Sequence, residues 1–293
     1  MIEYLDSNFR IYKELAFKSN FSMLLKIQWI KLLDEIESNL TKDNTRSLVF
    51  FSKMHECLDI ITDFFTYDNQ GVQLDFLCSI EKFKQLKRYL NYSRMDTQNL
   101  IQLYYQEMIE IQNSLRFGDY GKLICRACYH CKEQILAVEI LKCKNILPMD
   151  QNGLSDPYVE IDLKPKFVFL SCDKQTTSVV KKTLNPVYNE TFDFKINEKC
   201  LNQTGNVIHF TVMDHDLMWT NDFEGEAFLD LSSVPKLKGD SSDINYKDLK
   251  YSELLLIRPK DFPSKIIDVL EYRKDQDKLA LEFLKERKDK LYI

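Results

Sequence analysis

The first 147 residues of this 293-residue chain contain no proline, and before Gly118 there is one glycine, Gly71. Those two residues are the main breakers of a helix interior. Their scarcity excludes a turn-rich β architecture at the start and predicts helix. No apolar run approaches the roughly 18 residues that a membrane span requires, so the chain is not expected to cross a bilayer. There is no basic excess: 40 Lys and Arg stand against 45 Asp and Glu, a net charge of -5. Binding the phosphate backbone rests on a basic surface, so nucleic acid is not the expected partner. The eight cysteines are spread too thinly for a disulfide framework, which points to a reducing cytosol. The opening Met-Ile-Glu-Tyr-Leu-Asp lacks the basic flank and apolar stretch of a signal peptide, so the Asn-x-Ser/Thr triplets at Asn91, Asn189 and Asn202 carry no glycosylation meaning.

What is present is globular: 44% hydrophobic and 29% charged residues, in a length that suits two domains. Phe21, Leu25, Trp29, Leu32, Ile36 and Leu40 recur on one helical face, as do Leu48, Phe51, Leu58, Ile61 and Phe65. Asp68–Gly71 reads as a turn. A further stripe runs through Leu77, Ile80, Phe83 and Leu90, and a last helix begins near Thr97 with Tyr104, Met108 and Ile111 inward. The stripes read as core, about five helices over residues 1–117. After Gly118 the period becomes two. Leu123, Cys125 and Ala127 alternate with polar neighbours, and Ile135–Ile140, Val207–Val212, Ala227–Leu231 and Leu254–Ile257 are further short strands. Such spacing predicts an antiparallel sandwich over 118–260. Residues 261–293 return to helix. The fold class is therefore α+β: an α-helical bundle, a β-sandwich, and C-terminal helices.

Cys125, Cys128 and Cys131 with His130 resemble half a metal site. Strand alternation sends Cys125 and Cys128 to opposite faces, and no second Cys-x-x-Cys follows, so they read as structural. Five aspartates read otherwise. Asp150 and Asp156 bracket one loop; Asp214, Asp216 and Asp222 form a second cluster, and both follow apolar strands. If the two loops share one end of the sandwich, five carboxylates converge with no basic residue inside either cluster. Such a set repels itself and is neutralised by protons or hard cations. Flexible loops of carboxylate oxygens suit Ca2+ better than Mg2+, which demands a tight octahedron.

Leu147-Pro-Met-Asp-Gln-Asn-Gly-Leu-Ser-Asp-Pro-Tyr-Val159, Lys182-Thr-Leu-Asn-Pro-Val-Tyr-Asn-Glu-Thr-Phe192 and Val212-Met-Asp-His-Asp216 together resemble a C2 domain. The pieces come in family order, with a leading strand at Tyr120–Tyr129 that implies the synaptotagmin-type topology. The resemblance implies that Asp150, Asp156, Asp214, Asp216 and Asp222 hold two or three Ca2+ ions bridging to anionic phospholipid headgroups. Asn221–Gly239 and Lys164–Thr177 are similar to the C2 domain that follows the MUN domain in the Unc-13 family, in the branch of Unc-13-4 and the BAI-associated protein 3. Tyr4–Asn8 and Asn99–Tyr105 more loosely resemble the end of the MUN helical region. That resemblance implies SNARE proteins as partners, vesicle tethering or priming in exocytosis, and a cytoplasmic protein peripheral to plasma membrane or vesicles.

Leu217, Met218 and Trp219, between two of the aspartates, read as an apolar wedge for the lipid interface. Lys164, Lys166, Lys174, Lys181 and Lys182 are candidates for phosphoinositide headgroups. A lipid-modifying enzyme would need a nucleophile and base. The chain has no Gly-x-Ser-x-Gly, P-loop or His-Glu-x-x-His. Of its histidines, His55, His130, His209 and His215, the last is read as exposed between two aspartates. A calcium-independent interaction scaffold is the other alternative.

Overall fold

A computed structural model describes residues 2–40, 46–67, 71–150, 152–216, 221–239 and 249–292. Its helices are α1 (Ile2–Leu15), α2 (Lys18–Leu40), α3 (Leu48–Thr66), α4 (Leu74–Ser79), α5 (Glu81–Ser93), α6 (Thr97–Ser114), α7 (Lys265–Arg273) and α8 (Lys278–Tyr292). The strands are β1 (Lys122–His130), β2 (Ile135–Lys144), β3 (Pro157–Lys164), β4 (Gln175–Thr176), β5 (Val187–Lys195), β6 (Val207–Asp214), β7 (Asp222–Asp230), β8 (Lys236–Leu237) and β9 (Ser252–Leu255). The chain forms two compact units, residues 1–97 with 265–281, and 98–264 with 282–293.

The first unit is helical, as the scarcity of proline and glycine requires. Trp29 of α2 is fully buried, with the rings of Phe65 and Phe83 at 5.2 and 5.4 Å. Around it Leu25, Leu33, Leu58, Ile61, Leu77 and Leu90 complete the core. Each such side chain contributes about 1.5–3 kcal/mol on burial. The helices stop for local reasons. Ser47 caps α3 by accepting the Phe50 amide at 3.3 Å. Tyr67 ends α3 in the left-handed region, and a Cβ at Gly71 would lie 2.3 Å from the Phe65 carbonyl, so only glycine fits there. The turn expected at Asp68–Gly71 otherwise lies outside the described residues. Arg273 of α7 donates to the Ser93 and Met95 carbonyls, both at 2.8 Å, closing the end of α5. Two details differ from the periodic reading. Ile80 is extended (ψ 120°), which splits the single expected helix into α4 and α5. Leu48, the first residue of α3, points to solvent.

The second unit is a sandwich of two sheets in the orders β5-β2-β1-β8, with β9 also on β1, and β4-β3-β6-β7. All pairings are antiparallel except β1 with β8. Leu123, Cys125, Leu136, Val138, Ile161, Phe194, Phe210, Val212 and Ala227 fill the space between them. Cys125 lies in that interior, whereas Cys128 lies on the opposite face of the strand, also buried, with His130 Nε2 at 3.5 Å, as strand alternation requires.

The unit boundaries differ from the expected 1–117, 118–260 and 261–293. Helix α6 belongs with the sandwich from Gln98 onward, and so does α8 from Glu282. The reason is burial of polar groups. Gln112 of α6 exchanges two hydrogen bonds with the backbone of Phe228, and Arg287 of α8 is fully buried against Glu226. Tyr104 and Tyr105 of α6 meet Phe283 of α8 edge-on at 5.3 and 6.0 Å.

Candidate functional site

Register, rather than loop sequence, assembles the aspartates. In the ladders Pro157 pairs with Asp214 and Asp214 with Asp222, so the ends of β3, β6 and β7 lie on adjacent rungs. Asp214 terminates β6 and is 2% exposed. Its Oδ1 accepts the Asp156 amide at 2.6 Å, and the His215 amide donates back to the Asp156 carbonyl at 3.1 Å. Asp156 Oδ1 in turn accepts the Lys182 amide at 2.7 Å, which the left-handed backbone of Lys182 (φ 56°) turns toward it.

Asp150 sits on a tight loop that its own sequence closes. The amides of Met149 and Asp150 both donate to the Leu154 carbonyl, at 3.2 and 3.0 Å. Gly153 supplies the positive φ (79°) that lets its amide return to the Asp150 carbonyl. Asn152 accepts the Leu154 amide at 2.8 Å and reaches Asp150 Oδ2 at 3.3 Å. The Ser155 hydroxyl accepts from Met149 and donates to Leu147, fixing the loop to the sheet end. Asp216 is held by its amide, which donates to Asn221 Oδ1 at 3.1 Å, while Asn221 Nδ2 donates to the Tyr158 hydroxyl at 2.8 Å.

Burial, then the charges of Asp150, Asp216 and Asp156, raise the pKa of Asp214, against the opposing Asp156 amide. Four of the five expected carboxylates therefore act on one another. Asp222, at the start of β7, is exposed. Among the described residues none of the five makes an ion pair. Nor do any three His, Cys, Asp or Glu side chains close into a ready metal-holding group there. The donors are all oxygen, negative and unneutralised, which fits a hard cation better than a soft one. Leu217, Met218 and Trp219 lie outside the described residues. His215, expected to be exposed, is half-buried with its ring edge-on to Tyr158 at 6.5 Å.

The five lysines are not equivalent. Lys181 and Lys182 are exposed. Lys174 pairs with Glu160 at 2.7 Å, and Lys166 donates to the Cys172 carbonyl. Lys164 departs most from a free headgroup contact: its side chain is 5% exposed and pairs with Asp162 at 2.8 Å and Glu286 at 2.5 Å. Pointing onto a sheet face covered by α8, it needs these partners to be buried at all.

Two groups escaped the sequence reading. Glu224 is fully buried, and neither oxygen has a hydrogen-bond partner; the facing Ser155 hydroxyl gives its proton to Leu147. Burial pushes its pKa up to about 8, opposed by Ser155 and Arg258 and helped by Asp214. Alternation from Ala227, Leu229 and Leu231 puts Glu224 in the outward phase, and only the register shift opposite Val212 and Met213 departs from it, so the strand pattern carried no signal for its burial. The second group is Glu226, which takes Arg287 in a two-pronged pair and His209 Nε2 at 2.8 Å, with Arg287 also donating to the Tyr104 hydroxyl at 3.0 Å. Burial would raise Glu226, but the charges and hydrogen bonds of Arg287 and His209 together outweigh it and hold the carboxyl well below its usual range. Burial lowers His209 to about 4, so it is neutral, stacked on Phe228 at 4.9 Å.

Residues 134–247 match the family model "C2 domain". The chain thus carries a C2 domain, the class that the sandwich and its loops define. It is 32% identical over 289 residues to BAI1-associated protein 3 of Mus musculus, covering 99% of this chain and 25% of that protein. It is 30% identical over 271 residues to Protein unc-13 homolog D of Homo sapiens, covering 92% and 24%. The crystal structure of a C2 domain of RIM from Drosophila is similar at 26% identity, covering 46% of this chain and 98% of that one, with a TM-score of 0.36. The chain is thus similar to Unc-13 homologs over nearly its whole length and spans about a quarter of the length of the curated relatives it matches.

Proposed function

We propose that this chain binds two or three Ca2+ ions through Asp150, Asp156, Asp214, Asp216 and Asp222, and through them anionic phospholipid membranes. The observation that carries the reading is the convergence of Asp150, Asp156, Asp214 and Asp216 at one sheet end, where their charges raise the pKa of Asp214 and none of them forms an ion pair among the described residues. A hard cation supplies the missing charge when bound, and the carboxylates would supply the oxygen donors. The protein's own contribution is to hold the four together at the sheet end through Asp156, Lys182 and Asn221, and to repel anionic lipid until they are neutralised.

Leu217, Met218 and Trp219 then enter the interface, and Lys166, Lys174, Lys181 and Lys182 meet headgroup phosphates. No helix among the described residues is long and apolar enough to cross a membrane. Resemblance to the Unc-13 family supports a non-enzymatic role in vesicle tethering or priming for SNARE-dependent exocytosis. Sedimentation with vesicles containing phosphatidylserine tests the first step. Binding in Ca2+ that is lost in chelator is expected, and equal binding in both would overturn the calcium reading in favour of a calcium-independent scaffold.

A further inference from the structure

The face of the sheet made by β3 and β6 carries a groove of about 390 Å³, whose lining includes Lys164, Lys166, Lys174, Lys290 and Glu286. Two of these come from the C-terminal helix α8, and the rest from β3 and the segment leading into β4. Such a volume matches the size of a small-ligand site. Its cations are already engaged by the protein's own carboxylates. Lys164 bridges Asp162 and Glu286, Lys174 pairs with Glu160, and Lys166 lies 3.8 Å from Asp162. Lys290 donates to Thr211 at 2.7 Å and stands 4.0 Å from Glu226, which Arg287 already neutralises.

Glu286 differs from the other acids. Asp162 and Glu160 are built into β3 beside their lysines, and removing them would disturb the strand. Glu286 arrives from α8, is partly exposed at 36%, and adds a second carboxylate to a lysine that already has one. Its carboxylate occupies the place on Lys164 that a phosphate oxygen would take. The helix itself is fixed, because Arg287 one residue on is fully buried in its pair with Glu226. Glu286 is therefore placed beside Lys164 by a helix that is anchored at the next residue.

We infer that Glu286 is an internal anion that competes with lipid phosphate for Lys164, so that the C-terminal helix restrains membrane binding at this groove. The inference rests on the proposed contact between the lysine cluster and anionic headgroups, and it names what regulates that contact. The ligand chemistry is a clustered phosphate, from a phosphoinositide in a bilayer or from a soluble inositol phosphate.

The test uses the whole chain in chelator, so that the aspartate loops do not contribute. Vesicles of phosphatidylcholine with about 5% phosphatidylinositol bisphosphate form one arm, and soluble inositol trisphosphate the other. Glu286→Gln should bind the vesicles about fivefold more tightly than wild type, the effect of about one added surface cation. A joint Lys166→Glu and Lys174→Glu variant should bind less tightly. Tighter binding of Glu286→Gln in both arms assigns the phosphate cluster itself as the ligand; tighter binding to vesicles alone assigns the lipid surface. If Glu286→Gln matches wild type while the lysine variant loses affinity, the groove binds headgroups but Glu286 is no restraint. If neither variant differs from wild type, the groove does not bind phosphate and the inference falls with it. Unchanged melting temperatures confirm that both variants are folded.

Discussion

Gln112 acts as a strand partner for Phe228. Its side-chain amide donates to the Phe228 carbonyl at 2.9 Å and accepts the Phe228 amide at 2.8 Å. β7 is the last strand of its sheet, so these groups would otherwise face outward unpaired. Two residues earlier, Glu226 exchanges backbone bonds with Ile257 at 2.9 and 2.8 Å. With Arg258 donating to the Phe223 and Glu224 carbonyls at 2.8 and 3.2 Å, the edge of the sheet is sealed by two side chains and one short backbone segment.

Gln112→Leu should therefore cost about 1–3 kcal/mol, since two buried backbone groups lose their partner together. Urea unfolding measures it. A fragment starting at Ser114 omits Gln112 and should be weaker than one starting at Gln98 by at least as much. Equal midpoints for the two fragments would show that α6 does not belong to the sandwich.

Arg287→Met should be among the most damaging single changes, costing about 3–5 kcal/mol, because Glu226 is left buried without its main counter-charge. Adding Glu226→Leu should restore much of the loss. Comparison of single and double variants by chemical denaturation distinguishes this pair from ordinary packing, where the second change would only add to the first.

Replacing Asp214 and Asp216 together by Asn should abolish the calcium-dependent rise in melting temperature while leaving the cation-free protein as stable or slightly more so. Two mutually repelling charges are removed and the fold keeps its backbone ties. Scanning calorimetry with and without Ca2+ reads both effects. A wild-type calcium shift in the double variant would place the site elsewhere.

Glu224 sets a pH dependence of definite sign. The folded protein holds this proton up to about 8, whereas the unfolded chain releases it near 4.5. The folded state binds more protons across that window, so stability without metal should fall as pH rises through it, by about 1.4 kcal/mol for each unit. Glu224→Leu should flatten the slope and be most stabilising, relative to wild type, near pH 8. An unchanged slope in melting temperature between pH 5 and about 8 would mean that Glu224 is not its source.

The α-to-β change at Gly118, the helical stripes around Trp29, and the loops bearing Asp150 and Asp214 were all legible, because they depend on local composition and period. The split at Ile80 was not, since no proline or glycine marks it. Nor was the membership of α6: Gln112 and Phe228 are 116 positions apart, and periodicity carries no information about which distant backbone a glutamine serves. The same holds for Glu226 and Arg287, which look like ordinary surface charges in an alternating strand and a charged helix. Lys164 looked available for the same reason, although beside the nearby Asp162 a second carboxylate that engages it lies on α8.

Asn221 has a consequence for Asp216. One end of its side-chain amide takes the Asp216 backbone and the other takes the Tyr158 hydroxyl, so Asp216 is tied to β3 through a single uncharged residue. Asp214 and Asp222 are placed instead by the ladder between β6 and β7. Asn221 is thus a handle of its own: changing it would loosen one carboxylate of the proposed cation site while altering neither the number of charges nor the pairing of the strands.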